Sequence, residues 1–195
     1  MNTKNKIGKL FIISAPSGAG KTSISKEVIN RIGKTFNLSK VVTFTSRPPR
    51  DREINGKDYN FLSPEKFQEY AKKGHFLEST QYNHKMYASP ASIKDNLENN
   101  KSLILVVDKD GAKAASKKIP EATTIWITIP RINDLKHRME KRGESQSEIE
   151  KRLTLANVEI TEESKHHFFK YHVMNEHFDN AVQDVIKIIT DEMNK

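Results

Sequence analysis

The chain has 195 residues, a formal net charge of +8 at pH 7 and no cysteine, and 35% of its residues are hydrophobic. This length is enough for one domain with a sizeable core, and the absence of cysteine excludes disulfides and thiolate metal sites. No run approaches the roughly 18 apolar residues of a membrane span, and residues 1–6 lack the apolar segment of a secretory signal. We therefore expect a cytoplasmic protein that does not interact with membranes.

The positive charge has two interpretations, a nucleic-acid-binding protein or an enzyme that handles several phosphate groups at once. Much of the excess is lysine scattered over predicted helix faces, which is typical of a solvated surface. The interleaved aromatic and basic residues typical of RNA-binding proteins are missing. Composition alone does not decide between the two, but this pattern leads us to expect no nucleic-acid partner.

In chain order, the first element is an apolar strand that runs straight into a glycine-rich loop. Residues 10–13 are Leu-Phe-Ile-Ile, a run of strand length that is rich in β-forming residues. The sequence APSGAGKT follows over residues 15–22, and residues 24–32 then carry isoleucine and valine at helical spacing before Gly33. A strand, a glycine-rich loop ending in lysine and a hydroxyl residue, and a helix together predict a phosphate-binding P-loop.

The predicted P-loop gives each of its residues a role toward a nucleoside triphosphate. Backbone N–H groups of the loop and of the helix N-terminus would face the phosphates. The binding residues are Ala15, Pro16, Ser17, Gly18, Ala19, Gly20, Lys21 and Thr22. Lys21 can reach the β- and γ-phosphates, and the hydroxyl of Thr22 can bind Mg²⁺. The alternative is an ordinary strand-to-helix turn with a solvated lysine, and the strict P-loop pattern has glycine where this chain has Ala15.

Residues 39–90 have the pattern of a small β-rich insertion with one helix. A strand is predicted over residues 41–45, and a returning strand over residues 59–62 follows an Asn-Gly turn. Between these strands two consecutive prolines forbid further strand and fix an extended turn. A helix capped by Ser63 should begin next and end near Gly74. The insertion therefore interrupts an α/β unit.

Strands and helices alternate through the rest of the chain. The predicted helices cover residues 89–99, 112–118, 134–142, 147–164 and the segment around 182–189, and the predicted strands cover residues 103–108, 123–129 and 171–175. The run that ends in Asp108 is almost continuously apolar, as is typical of a buried parallel strand. This alternation predicts an α/β fold with a parallel sheet and helices on both of its faces.

The insertion also carries candidates for a second anion site. Arg47 and Arg50 flank the two prolines, whose stiffness lets two guanidinium groups converge on one dianionic phosphate at low entropic cost. Hydroxyls and a carboxylate that can bind a purine edge or a phosphate occur nearby, at Thr43, Tyr59, Glu78, Tyr87 and Ser89. The alternative for each residue alone is a surface salt bridge or hydrogen bond on a hairpin. For the whole set, which follows a P-loop, we favour a binding site.

Six stretches of the chain share their sequence pattern with one enzyme family. They are SAPSGAGKT at 14–22, TSRPPR at 45–50, EINGKDYNF at 53–61, FLE at 76–78, YAS at 87–89 and R-x-x-x-R-G at 138–143. In these stretches the chain resembles the guanylate kinases, and the resemblance covers essentially all of the chain. It implies a P-loop NTPase fold, with a central parallel sheet, a GMP-binding insertion and a helical lid. The core would comprise residues 1–38, 91–131 and 166–195, the insertion residues 39–90, and the lid residues 132–165.

The resemblance implies transfer of the γ-phosphoryl group of ATP to GMP, with Mg²⁺ as cofactor. In the family's terms, the GMP phosphate would be held by Arg47, Arg50, Tyr59 and Tyr87. Glu78 would accept hydrogen bonds from guanine N1 and N2, while the hydroxyls of Thr43 and Ser89 would help to place the base. No partner beyond the small molecules ATP and GMP is implied.

The resemblance also assigns residues to the transfer step and to the adenine. Three arginines of the lid would close over the phosphates, namely Arg138, Arg142 and Arg152. The residues that we predict to be catalytic are therefore Lys21, Arg47, Arg138, Arg142 and Arg152. Asn175 matches an asparagine near the adenine site. The alternative for the lid arginines is a charged helix face on which they pair with Glu140, Glu148 and Glu150.

Two departures from the family pattern bear on the substrate. The family's D-x-D-x-Q-G pattern has a carboxylate where this chain has Val106, which leaves Asp108 to help hold the Mg²⁺ shell. Residues 82–88 also differ from the usual G-N-Y-Y-G segment. These departures favour, as an alternative, a P-loop kinase that acts on another phosphorylated nucleoside or sugar. A non-catalytic binding module is a third hypothesis, and the intact pair of Lys21 and Thr22 argues against it.

Overall fold

Two β-sheets and the helices around them make up the computed structural model, which describes residues 7–82, 84–141 and 143–195. The strands are β1 (Leu10–Ser14), β2 (Leu38–Lys40), β3 (Phe44–Thr45), β4 (Asn60–Phe61), β5 (Phe76–Tyr82), β6 (Lys85–Pro90), β7 (Ser102–Val106), β8 (Thr123–Thr128) and β9 (Tyr171–Met174). The helices are α1 (Lys21–Ile32), α2 (Pro64–Lys72), α3 (Ile93–Glu98), α4 (Lys109–Lys118), α5 (Ile132–Glu140), α6 (Gln146–His166) and α7 (Phe178–Met193).

The central sheet is parallel and has the strand order β2-β7-β1-β8-β9. All five residues of β1 are buried, because helices cover both faces of the sheet. Successive side chains of a strand point to opposite faces. Accordingly, Phe11 and Ile13 pack in one core cluster with residues of α1 and α7, whereas Leu10 and Ile12 pack in the other with residues of α3 and α4. The predicted α/β fold with a parallel sheet is confirmed.

The second sheet lies in the insertion and has the order β4-β3-β6-β5. Here the prediction of one strand over residues 41–45 is wrong. The backbone N–H of Val41 still donates to Ile104 in the central sheet, so the chain changes sheets between β2 and β3. The returning strand predicted over residues 59–62 is present as the shorter β4. Strands β3 and β4 are parallel, with Phe44 opposite Asn60, because the long turn between them carries the chain back to the start of β3.

The helices differ from the prediction mainly at their first residues. The helix expected from residue 89 begins only at Ile93, because β6 continues through Pro90, which lies opposite Phe76 of β5. Helix α6 begins with a capping box, in which Ser145 and Glu148 each bond the other's backbone N–H. None of the helices in the described ranges is both long enough and apolar enough to cross a membrane.

The core position of Ile12 allows a test of the packing. Ile12 is fully buried, so we expect Ile12→Ala to lower the free energy of unfolding by roughly 3 kcal/mol through lost burial and a new cavity. Ile7 is 64% exposed, and we expect the matched change Ile7→Ala to alter the same quantity by less than about 0.5 kcal/mol. Urea denaturation of both variants measures the difference, and equal losses would contradict the described packing.

Candidate functional site

The loop between β1 and α1 has the backbone geometry that an anion site needs. Gly18 and Gly20 have φ values of 87° and 96°, which residues with a side chain rarely adopt. A Cβ atom on Gly20 would also lie only 2.7 Å from Nδ2 of Asn175. Because α1 begins at Lys21, its first backbone N–H groups have no partner within the helix and are available to phosphate oxygens.

Two side chains from distant parts of the chain hold this loop at the carbonyl of Ala19. The side-chain amide of Asn175 donates to it at 2.7 Å, and Nη1 of Arg138 donates to it at 3.3 Å. Arg138 also donates from Nη2 to the backbone carbonyl of Asn175 at 3.1 Å. Asn175 is buried, and its Oδ1 has no hydrogen-bond partner within the part of the chain that the structure describes. Both residues therefore support the loop from behind.

A single cleft joins the loop to the second sheet. From the loop and α1 it is lined by Ala15, Ser17, Gly18, Gly20, Lys21 and Thr22. From the insertion it is lined by Thr43, Arg47, Arg50, Tyr59, Glu78 and Tyr87. Asp108, which follows the strand β7, and Arg152 of α6 also line it. The structure thus brings together most of the residues that the sequence singles out, from four separate parts of the chain.

Five other predicted site residues are placed differently. None of the five lines the cleft. Ser89, Arg138 and Asn175 lie behind residues that do, whereas Pro16 and Ala19 lie within the loop itself. Ser89 is fully buried and contacts Glu78, so it orients that carboxylate from behind. Arg142 lies outside the described residues.

Arginine and tyrosine side chains form the basic end of the cleft. The guanidinium of Arg47 lies over the rings of Tyr59 and Phe61, at 5.4 Å and 5.7 Å from their centroids. The rings of Tyr59 and Tyr87 meet edge to face with centroids 6.2 Å apart. Burial raises the pKa of Tyr59, so its phenol stays protonated at neutral pH and can donate a hydrogen bond. This end of the cleft is suited to a phosphate dianion.

Glu78 presents a buried carboxylate oxygen to the cleft. Its Oε1 accepts hydrogen bonds from the backbone N–H of Ser89, at 3.1 Å, and from the hydroxyl of the same residue. Its Oε2 is buried and has no hydrogen-bond partner among the residues that the structure describes. Burial raises the pKa of Glu78 to about 7, although the hydrogen bonds from Ser89 oppose the rise. A ligand with N–H donors would satisfy this oxygen.

Asp108 follows β7 and caps the N-terminus of α4. Its Oδ1 accepts from the backbone N–H of Gly111 at 2.7 Å, while Oδ2 lies 3.4 Å from the hydroxyl of Thr80. Burial raises its pKa, and the charge of Lys21 opposes the rise. The hydroxyl of Thr22 and this carboxylate are both oxygen donors on the same cleft, which fits the preference of Mg²⁺ for hard oxygen ligands. Val106 lines the cleft beside them as an apolar residue.

Arg152 connects the helix α6 to the loop after β1. Its Nε donates to the hydroxyl of Ser17 at 2.9 Å, and its Nη1 pairs with Glu144. The alternative partners named above, Glu140, Glu148 and Glu150, do not pair with it; Glu140 instead contacts His137 at 3.2 Å. Arg152 therefore already points at the phosphate loop.

Comparison with known proteins gives this arrangement a family. The family model described as "Guanylate kinase" matches residues 7–192. The chain belongs to the guanylate kinase family. The protein named "Guanylate kinase" from Clostridioides difficile (strain 630) is 38% identical over 192 residues, 97% of this chain and 91% of that protein. The one from Wolbachia pipientis wMel is 37% identical over 191 residues, covering 95% and 90% of the two chains.

The fold is also that of a solved guanylate kinase. The crystal structure of guanylate kinase from Anaplasma phagocytophilum superposes with a TM-score of 0.79 over 97% of this chain and 88% of that chain, at 24% identity. The sequence-based predictions of the family and of the P-loop NTPase fold are confirmed.

Sequence reasoning missed one acidic residue of this cleft. Glu159 of α6 lines the cleft seven residues after Arg152, on the same helix face. Burial raises its pKa to about 7, opposed by the charge of Lys21, and its Oε2 has no partner in the described ranges. Helical spacing from Arg152 was the available signal. Thr80 and Tyr82 were also missed. They lie at alternate positions after Glu78 and so share the cleft-facing side of β5 with it.

The raised pKa of Glu78 predicts a pH-dependent gain in stability when the charge is removed. A carboxyl whose folded pKa lies above its unfolded value stabilises the fold fully below pH 4.5, and this contribution is lost as the pH rises through about 7. We expect Glu78→Gln to raise the free energy of unfolding of the ligand-free protein by about 2 kcal/mol at pH 8. The gain should shrink as the pH falls toward 5.

Glu69→Gln is the matched control for this measurement. Glu69 is an exposed residue of the same insertion whose pKa is lowered by its hydrogen bond with Lys73, so its replacement should give no gain at pH 8. Denaturant titrations at pH 5 and pH 8 compare the variants. A gain for Glu78→Gln that is the same at both values would contradict the assigned burial of this charge.

Proposed function

We propose that the protein transfers the γ-phosphoryl group of ATP to GMP, giving ADP and GDP. The observation that carries the proposal is the single cleft in which the P-loop faces Glu78 and the arginine pair of the insertion. The relatives named guanylate kinase, which match nearly the whole chain, support the same activity.

ATP would bind with its phosphates on the P-loop. The first N–H groups of α1 and the ammonium of Lys21 would contact the β- and γ-phosphates. Thr22 and Asp108 would hold Mg²⁺, which when bound neutralises phosphate charge and helps to orient the transferred group. Asn175 and Arg138 keep the loop in its binding conformation through the Ala19 carbonyl.

GMP would bind with its base against Glu78 and its phosphate at the basic end of the cleft. Guanine presents N–H donors at N1 and N2, which match the unpartnered Oε2 of a buried carboxylate. Adenine has an acceptor at N1 and no amino group at C2, so it would leave this oxygen unpaired, and such a mismatch is costly in a buried site. Arg47 and Arg50 would share the phosphate, with Tyr59 and Tyr87 as hydroxyl donors.

Transfer between these two ligands requires alignment and charge neutralisation, with little covalent chemistry from the protein. Lys21 and Arg152 would stabilise the charge that spreads over the transferred group, and Arg47 would fix the attacking phosphate. As part of the proposal, the insertion of residues 39–90 and the lid of residues 132–165 close over the ligands. Closure would exclude water, which would otherwise compete as the acceptor.

A panel of acceptors tests the proposal most directly. ADP release from ATP and Mg²⁺ is measured with GMP, dGMP, AMP, UMP or CMP as the acceptor. We expect turnover with GMP and little turnover with AMP, UMP or CMP. Preference for a non-guanine acceptor would instead support the related kinase suggested by Val106. No turnover with any acceptor, together with retained ATP binding, would favour a binding module.

Two substitutions on α1 test the role of the P-loop lysine. Lys21→Ala removes the ammonium that would contact the transferred phosphoryl group, and we expect turnover to fall at least roughly a hundredfold. Lys26→Ala is the control, because Lys26 is an exposed lysine of the same helix. Steady-state rates at saturating ATP and GMP give the comparison. Near-normal turnover of Lys21→Ala would contradict the proposed role.

A further inference from the structure

Glu53 is bonded through both carboxylate oxygens to the arginine loop, although the proposed function assigns it no role. Its Oε1 accepts from Nη2 of Arg47 at 2.8 Å. Its Oε2 accepts from the backbone N–H of Arg50 at 2.7 Å. The side chains of Glu53 and Arg47 are only 19% and 13% exposed, so this pair is shielded from solvent far more than an ordinary surface salt bridge.

These bonds close the loop that carries both arginines. Pro48 and Pro49 lie between the arginines and have no backbone N–H, so the loop has few donors of its own with which to fix its shape. At the end of the loop, the carboxylate of Glu53 supplies the acceptors that fix the loop's shape. The backbone N–H of Glu53 also donates to the carbonyl of Arg50 at 3.1 Å. Glu53 and Arg50 are therefore bonded in both directions, and Glu53 also holds Arg47.

The Arg47 guanidinium is held on three sides. Glu53 binds one of its nitrogens, the carbonyl of Pro48 accepts from Nη1 at 2.7 Å, and its face lies against Tyr59 and Phe61. Five N–H donors are available on a guanidinium, so these contacts can orient Arg47 without consuming it. Burial raises the pKa of Glu53, but hydrogen bonds from Arg47 and Arg50 outweigh it and hold the pKa below its ordinary value. The carboxylate thus stays charged at neutral pH.

A negative charge beside a phosphate site reduces attraction for the phosphate unless it improves the geometry of the cations. We propose that Glu53 is a positioning residue for the acceptor's phosphate, holding the Arg47 side chain and the Arg50 backbone so that both guanidiniums converge on one dianion. This inference rests on the proposed function, because it concerns the same monophosphate site.

The sign of the effect of Glu53→Gln separates positioning from simple charge. Removing a negative charge alone would strengthen GMP binding, whereas losing the positioning contact would weaken it. We expect Glu53→Gln to raise the dissociation constant for GMP about tenfold, the scale of one charge-assisted hydrogen bond, and Glu53→Ala to raise it further. The affinities for ATP and for guanosine, which has no phosphate, should change less than about twofold, since Glu53 acts only through the phosphate.

Wild type, both Glu53 variants and the control Glu69→Gln are compared by three measurements. These are isothermal titration with GMP, guanosine and ATP, steady-state kinetics, and thermal unfolding. The KM for GMP should rise with little change in kcat. GMP binding by Glu53→Gln that is unchanged or tighter would overturn the inference. Parallel loss of ATP affinity, or failure to fold, would also overturn it, by showing a general structural role. A wild-type protein that binds no GMP would instead refute the proposed function itself.

Discussion

Repulsion between like charges is the constraint on which the site depends. Lysine and arginine side chains converge on one cleft, and acidic residues lie close to several of them. Arg47 pairs with Glu53, and Arg152 pairs with Glu144. The charge of Lys21 acts on two half-buried carboxyls, Asp108 and Glu159. Arginines held by these ion pairs are already oriented toward the cleft, so fewer of their side-chain conformations have to be fixed when phosphate binds.

The same arrangement stores unsatisfied polar groups in the cleft walls. Oε2 of Glu78 and Oε2 of Glu159 are buried without hydrogen-bond partners among the described residues. Each such group destabilises the ligand-free fold. A bound ligand that supplies donors would remove the penalty, so binding and stability are coupled through the same atoms. The fully buried strand β1 and the two core clusters on either face of the sheet offset this cost.

Local patterns in the sequence were sufficient for the parts of the fold that neighbouring residues determine. The P-loop, the buried strand before Asp108 and the cap at Ser63 are of this kind. The split of residues 41–45 between two sheets was missed because strand pairing depends on distant partners. Contacts such as Arg152 with Ser17, which lie 135 positions apart, and the inward face of Glu159 also depend on tertiary packing. The site residues were identified individually, but their charge partners were not.

The central claim is that two phosphate sites, one for a nucleoside triphosphate and one for a guanine monophosphate, share a single cleft. The most direct test is calorimetric titration with a dinucleotide in which adenosine and guanosine are joined by a chain of five phosphates. If both sites are occupied at once, this compound should bind at least roughly a hundredfold more tightly than ATP or GMP alone, because its second end binds intramolecularly. An affinity no higher than that for ATP, with GMP still able to bind beside it, would contradict the account.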